Sequence, residues 1–428
     1  MEEHKSLLKR HRQVLPSWLA LLYEEPIAIV RGDGCRVWDA EGNEYLDFFG
    51  GILTTMSGHN VPEVVDAIRE QAGRMLHTST LYLIEPAIEL AEMIAELAPI
   101  EDAKVFFVTS GSEANEAALL LAATYRRSNQ VVAMRNSYHG RSFATVGVTG
   151  NKGWSPSSLS PLSVSYVQGS YRYRSPFKGL PDDDYIQACV DDLRDVIDTT
   201  TSGDVACMVV EPIQGVGGFA VPPDGLFGAM KDVLDEFGIL LVSDEVQTGW
   251  GRTGENFWGI EAHGVRPDLM TFAKGIGNGL ALAGVVARAE IMDCLPANSI
   301  STFGGSPLAA SGGLANLRFI LDKELQANAR SAGARLMDRL RPYCDRSAVV
   351  GDLRGKGLMV GIELVRPGGT EPAPDVAAAA LERCREAGVL VGKGGLYGNV
   401  LRIAPPLSVS YDEIDRAADV IGRAVTSL

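Results

Sequence analysis

From about residue 100 the chain alternates short apolar runs with longer amphipathic segments, and this rhythm constrains its fold more than any other feature. The runs are Val105-Phe-Phe-Val108, Val131-Val-Ala-Met134, residues 205–210, residues 238–243 and residues 269–273. Strands that are apolar on both faces must be covered on both faces, and the amphipathic segments between them are the helices that do so. The expected architecture is α/β, with a mainly parallel sheet between helices in a large unit. In such open sheets a ligand sits beyond the carboxyl ends of the strands.

The flanks follow a different pattern. Near the N-terminus, Ile27-Ala-Ile-Val-Arg31, Cys35-Arg-Val-Trp-Asp39 and Glu44-Tyr-Leu-Asp-Phe-Phe49 are separated by Gly-containing turns, which predicts an antiparallel meander. Residues 87–97 repeat apolar positions every three to four residues and form a helix. Beyond residue 325 come helical patterns at 327–340 and 376–387 and strand patterns at 357–364, 389–391 and 400–403. A closing helix starts at Asp412. At 428 residues the chain exceeds what one core usually serves. Residues 61–325 are read as the large unit, and residues 1–60 with 326–428 as a small α+β unit built from both termini.

Chemistry collects at the strand ends. The run at 238–243 ends on Asp244 and the run at 269–273 on Lys274. An acid and an amine delivered to one sheet edge suit a cofactor with a basic ring nitrogen and an aldehyde. Pyridoxal 5'-phosphate (PLP) is such a cofactor: an aspartate holds its pyridinium proton and a lysine forms the Schiff base. Taken alone, Lys274 reads as a solvated turn lysine. Its companions change that reading.

Thr109-Ser-Gly-Ser-Glu-Ala-Asn-Glu116 follows the first run and opens a helix. Backbone N–H groups at such a start, helped by the hydroxyls of Ser110 and Ser112 and freed by Gly111, form an anion site. An ordinary N-cap explains the same residues. Ser137-Tyr-His-Gly-Arg141 follows the second run, where Tyr138 either stacks on a flat ring or lies in a surface turn. Glu211 follows the third run, and Asp244-Glu-Val-Gln-Thr-Gly249 the fourth.

Together these segments resemble the class III aminotransferases, enzymes of the PLP-dependent transferase fold type I. The matching motifs are Gly-Ser-Glu-Ala-Asn at 111–115, Tyr-His-Gly-Arg at 138–141 and Glu-Pro-Ile-Gln-Gly at 211–215. They continue with Asp-Glu-Val-Gln-Thr-Gly at 244–249, Gly-Arg-Thr-Gly at 251–254, Ala-Lys-Gly at 273–275 and Ser-Thr-Phe-Gly-Gly at 301–305. Within the class the chain is most similar to the branch of alanine–glyoxylate aminotransferase 2, the β-amino acid:pyruvate aminotransferases and the related phospho-lyases. The resemblance implies a seven-stranded sheet in the large unit. It also implies that Lys274 bonds the cofactor and then shuttles a proton, while Asp244 keeps the ring nitrogen protonated. Gln247 would meet the phenolate oxygen, and Val246 and Tyr138 would pack on the two ring faces. Ser110, Gly111, Ser112 and His139 would complete the cofactor site together with Glu211. Thr302 would reach the phosphate of a neighbouring subunit, which implies a homodimer with shared active sites, alone or paired into a tetramer.

On the substrate side the resemblance assigns Arg402 to the carboxylate of an oxo acid, a group that a guanidinium grips with two parallel hydrogen bonds. Glu211 would pair with Arg402 when the bound substrate has no such carboxylate. Arg141 would bind a distal carboxylate. Gly51, beside Gly50 and Ile52, and Tyr82 would line the pocket, with Trp18 and Tyr23 on an N-terminal segment that folds over it. Ser306 stands where relatives often carry Asn, which predicts a loop adjustment only.

Other properties narrow the partners. A net charge of −15 leaves no basic surplus for nucleic acid. No apolar run is long enough for a bilayer, and the charged N-terminus is not a secretory signal. The six cysteines are far apart, without a CxxC pair or metal-like grouping, and fit a reduced, cytoplasmic protein without a metal. The expected function is ping-pong transfer of an amino group from a β- or ω-amino acid (β-alanine, 3-aminoisobutyrate) or alanine to pyruvate or glyoxylate. The alternatives are a 4-aminobutyrate- or ornithine-type enzyme using 2-oxoglutarate, an amino-alcohol-phosphate phospho-lyase, and a non-enzymatic sensor of the same fold.

Overall fold

The computed structural model describes residues 2–428, with side chains from residue 6 onward. Its centre is a seven-stranded sheet. The strand order is Ala103–Val108, Ala283–Arg288, Leu269–Phe272, Leu240–Asp244, Cys207–Val210, Gln130–Met134 and Ser163–Val167. All neighbours pair in parallel except Ala283–Arg288, which runs antiparallel to both strands beside it. Successive side chains of the inner strands enter two different cores. Val132, Met208, Leu241 and Met270 lie in one, while Val131, Cys207, Leu240 and Leu269 lie in the other. That two-sided burial is why these strands appear in the sequence as unbroken apolar runs.

Two four-stranded sheets flank the centre. Ile29–Asp33, Arg36–Asp39 and Glu44–Asp47 form the expected meander, and Val389–Leu390 joins its last strand in parallel. The chain's two ends therefore share one sheet. The other sheet is antiparallel, in the order Val350–Lys356, Met359–Leu364, Val400–Ile403 and Gly392–Gly394.

Four strands have no clear pattern in the sequence. Ser163–Val167 is a half-exposed edge strand, Ala283–Arg288 is built largely of small residues, Val350–Lys356 carries two glycines and three charges, and Gly392–Gly394 is a lysine between two glycines. The strand expected at 357–364 begins at Met359, because Gly357 adopts φ +55° and forms the hairpin turn. All six cysteines are free. Among the described residues no helix is long and apolar enough to cross a membrane, and no cluster of His, Cys, Asp and Glu has a metal-binding arrangement.

Candidate active site

Five of the seven strands deliver their C-terminal ends to one place. The helix Gly111–Arg126 starts there, with Ser110 as N-cap accepting from the Glu113 backbone N–H. The next positions are tight. A Cβ on Gly140 would lie 2.7 Å from the Ser112 Oγ, and one on Gly215 would lie 2.2 Å from the Gln247 side chain. Glycine at these two points lets separate loops close on a common pocket.

That pocket, about 130 Å³, is lined by Ser110, Gly111, Ser112, Tyr138, His139, Glu211, Asp244, Val246, Gln247 and Lys274. Asn115 and Gly140 complete the wall. The Asp244 carboxylate is buried and held by three donors: Asn115 Nδ2 at 2.7 Å, the Val246 N–H at 3.1 Å and His139, whose Nδ1 lies 2.8 Å away. Thr271 in turn donates to Asn115 Oδ1 at 2.8 Å, fixing which way the amide faces. Burial pushes the Lys274 ammonium down to about 8, with Asp244 opposing the shift and Arg402 assisting it. Burial also pushes the Glu211 carboxyl up to about 7, although His139 and the backbone donors of Gly215 and Tyr138 act against it.

A larger cavity of about 720 Å³ opens outward from Lys274. Its walls include Leu21, Leu22, Phe49, Gly51, Ile52 and Trp154, with Lys393 and Arg402 as its further cations. The Tyr138 and Trp154 rings meet edge to face at 5.5 Å. The wall at Gly50–Leu53 is a left-handed turn in which Ile52 has φ +66°, a strained state for a β-branched residue. A separate cleft of about 660 Å³ beside the helix Glu85–Leu97 holds no comparable chemistry, since its Lys104 and Asp293 pair with each other.

Residues 22–425 match the family Aminotransferase class-III. The chain belongs to the class III aminotransferases. It is 38% identical to alanine–glyoxylate aminotransferase 2 homolog 2, mitochondrial, of Arabidopsis thaliana, over 99% of this chain and 87% of that protein. It is also 38% identical to the leucine/methionine racemase of Thermococcus litoralis, over 99% of this chain and 96% of that protein. An amine transaminase from an uncultivated Pseudomonas species, solved in its PLP-bound form, superposes with a TM-score of 0.89. That match has 30% identity and covers 94% of this chain and 95% of the other. The protein is thus a PLP-dependent transaminase of the α/β fold expected from its sequence.

The pocket of this aminotransferase fits PLP. A buried carboxylate held by three donors can take a pyridinium proton, and a buried amine of lowered basicity can meet an aldehyde. Backbone N–H groups at the start of a long helix suit a phosphate. His139 Nε2 is buried without a partner among the described residues.

Several residues named from the sequence stand elsewhere. Arg141 is exposed and lines neither cavity; only its backbone N–H enters the site, donating to Ser112 Oγ at 3.2 Å. Tyr82 is 70% exposed and Trp18 is 72% exposed, and neither lines the site. Tyr23 is buried against Val391 instead, although Leu21 and Leu22 do reach the cavity. Thr302 is exposed and outside both cavities. Glu211 and Arg402, expected to pair when a bound substrate has no carboxylate, have other partners here. Glu211 accepts backbone N–H groups of Tyr138 and Gly215, both at 2.8 Å, and Arg402 Nη2 donates to Gln247 Oε1 at 2.8 Å. Gln247 therefore keeps its amide N–H2 for a ligand.

Asn115, Phe49, Trp154 and Lys393 enter the site without having been singled out. Asn115 was findable: it lies four residues after Gly111 on a helix, so both face the same side. The others come from segments distant in sequence and carry no local signal.

Proposed function

We propose that this transaminase moves an amino group from a β- or ω-amino acid, or from alanine, to pyruvate or glyoxylate in two successive half-reactions. The observation that carries this reading is Arg402. It faces the same cavity as Lys274, it has no carboxylate partner among the described residues, and much of the remaining wall is apolar. Such a cavity suits a short substrate with one carboxylate.

When bound, PLP supplies an aldehyde that bonds amino groups and a ring that withdraws electrons from the carbon bearing them. The chain's residues then divide the work. Lys274, with its lowered basicity, gives and takes the proton at the substrate's amine-bearing carbon. Asp244 would hold the ring nitrogen's proton, while Asn115 and His139 keep the Asp244 carboxylate oriented. Gln247 would offer its amide N–H2 to the phenolate oxygen, and Val246 and Tyr138 would pack on the two ring faces. Ser110, Gly111 and Ser112 would hold the phosphate, with Thr302 serving the neighbouring subunit. Gly51 leaves space for the donor's chain.

A homodimer is part of the reading. Leu76, Leu81, Leu83, Ile300 and Phe303 are all exposed, and the His77 and Phe303 rings, 5.0 Å apart, join the two segments into one apolar face beside Thr302. Six free cysteines suit a cytoplasmic location. The three sheets support a large cofactor-binding unit at 61–325 and a small unit from 1–60 and 326–428.

A panel of amino donors against pyruvate, glyoxylate and 2-oxoglutarate tests the assignment. β-Alanine or 3-aminoisobutyrate should give turnover that requires pyruvate or glyoxylate. Turnover without any oxo acid would refute it. A second reading, with 2-oxoglutarate as acceptor, is favoured by Lys393, which lines the same cavity as Arg402 and offers a second carboxylate a partner. A preference for 2-oxoglutarate in the panel would select it.

A further inference from the structure

Arg402 is almost fully buried, yet its polar partners are few. Nη2 has Gln247, and Nε has no partner among the described residues. What surrounds the guanidinium instead is aromatic. Its carbon lies 4.7 Å from the centroid of the Phe219 ring and 5.3 Å from that of Phe49. An aromatic face attracts a cation through its quadrupole, most strongly where water is excluded.

Phe219 reaches this position at a conformational cost. It is fully buried and adopts φ +49°, in the left-handed region that L side chains avoid. Such a state persists only when neighbouring structure over-determines it. Two devices do so. Gln214 and Ala220 exchange backbone hydrogen bonds at 3.1 and 3.2 Å, closing the turn. From the antiparallel sheet, Arg354 Nε donates to the carbonyl oxygens of Gly218 and Phe219 at 3.1 and 3.2 Å, and Nη2 donates to Gly218 O at 2.7 Å. The other edge of Arg354 is anchored on Asp352 and Glu363 at 2.8 and 2.9 Å.

We infer that Phe219 is a positioning residue for Arg402, and that Arg354 holds Phe219 in place. The ring takes the role of a counter-ion: it retains the guanidinium at the cavity wall when no substrate carboxylate is present and restricts its swing when one arrives. This rests on the reading that Arg402 receives the carboxylate of the oxo acid. It accounts for a site in which Glu211 is already committed to backbone donors and Arg402 still stays buried.

The test uses the holoenzyme and three variants, Phe219→Leu, Arg354→Lys and Arg402→Gln. Two quantities are read: the steady-state constants for pyruvate, and the dissociation constant of propanoate, a non-reacting carboxylate, followed through the cofactor's absorbance. Phe219→Leu should raise the pyruvate KM and the propanoate dissociation constant together, by about tenfold, with kcat at saturating pyruvate held within about twofold. Arg354→Lys retains charge without the planar fork, so it should shift both constants the same way by about threefold. If both variants keep wild-type constants while Arg402→Gln raises them, the positioning role is overturned and the Arg402 reading survives. If Arg402→Gln also changes nothing, both fall. A drop in kcat or in soluble yield with unchanged propanoate binding would mark Phe219 as structural only and would equally overturn the proposal. Should Phe219→Leu fail to fold, Arg354→Lys decides alone.

Discussion

The side-chain amide of Asn115 donates to Oδ2 of Asp244 at 2.7 Å, linking the first turns of a helix to the end of a central strand. The same Nδ2 donates to the His139 carbonyl at 2.9 Å, and Oδ1 accepts from Thr271. One buried amide thus joins four segments around the carboxylate that the cofactor's ring nitrogen would meet. Each bond is between buried groups, so each matters more through the cost of losing it than through its own strength.

Asn115→Leu should therefore destabilise the protein by about 1–3 kcal/mol, the cost of stranding buried polar groups. It should also lower kcat by roughly tenfold through misorientation of Asp244, as expected for a lost preorganised contact. Urea denaturation and steady-state kinetics measure the two effects. A variant with native kcat would show that Val246 and His139 hold Asp244 unaided.

Lys274→Ala should fold, since the substitution removes an amine that pays a desolvation cost, and it should lose essentially all turnover. Borohydride treatment of the native holoenzyme followed by peptide mass spectrometry should place the cofactor adduct on Lys274. An adduct on any other lysine would end the assignment.

The pH dependence of the cofactor-free protein follows from the same lysine. Its folded-state value, about 8, lies below the ordinary 10.5. Between those values the unfolded chain binds more protons, so stability from this group rises with pH. The penalty is fully present below about pH 8 and is relieved towards pH 10.5. Its upper bound is roughly 3 kcal/mol, and water in the open cavity screens part of it. Cofactor-free Lys274→Met should then melt higher than the native chain at pH 7, and the gap should narrow by pH 10. Equal gaps at both pH values, in differential scanning calorimetry, would contradict this.

Leu83 is 92% exposed within the apolar face that also carries Phe303. Sedimentation equilibrium should give about twice the chain mass of 45.8 kDa. Leu83→Glu should shift the population towards monomers and reduce activity with it, because Thr302 would no longer serve a second site. A fully active monomer would exclude shared sites.

Much of this was legible in order along the chain. The doubly buried strands at 131–134, 207–210 and 240–244 show as apolar runs because both of their faces meet a core, and their ends mark the positions of Tyr138, Glu211 and Asp244. Strands such as Ala283–Arg288 and Val350–Lys356 show no such pattern, because small residues, glycines and charges dilute the local signal and pairing with neighbours alone makes them strands.

What the sequence by itself determined was the type of chemistry: the motifs at the ends of its apolar runs match those of the class III aminotransferases in order, and a mainly parallel sheet brings such ends to one edge. Only the tertiary structure decided the substrate wall. Arg402 could not be matched to Gln247, Phe49 and Phe219 beforehand, because each lies more than 150 positions away and their contacts depend on how three sheets close together. The same closure left Arg141 in solvent and tied Glu211 to backbone donors. Strand ends are set by local pattern, whereas side-chain partners across a cavity are set by packing between segments that share no local pattern at all.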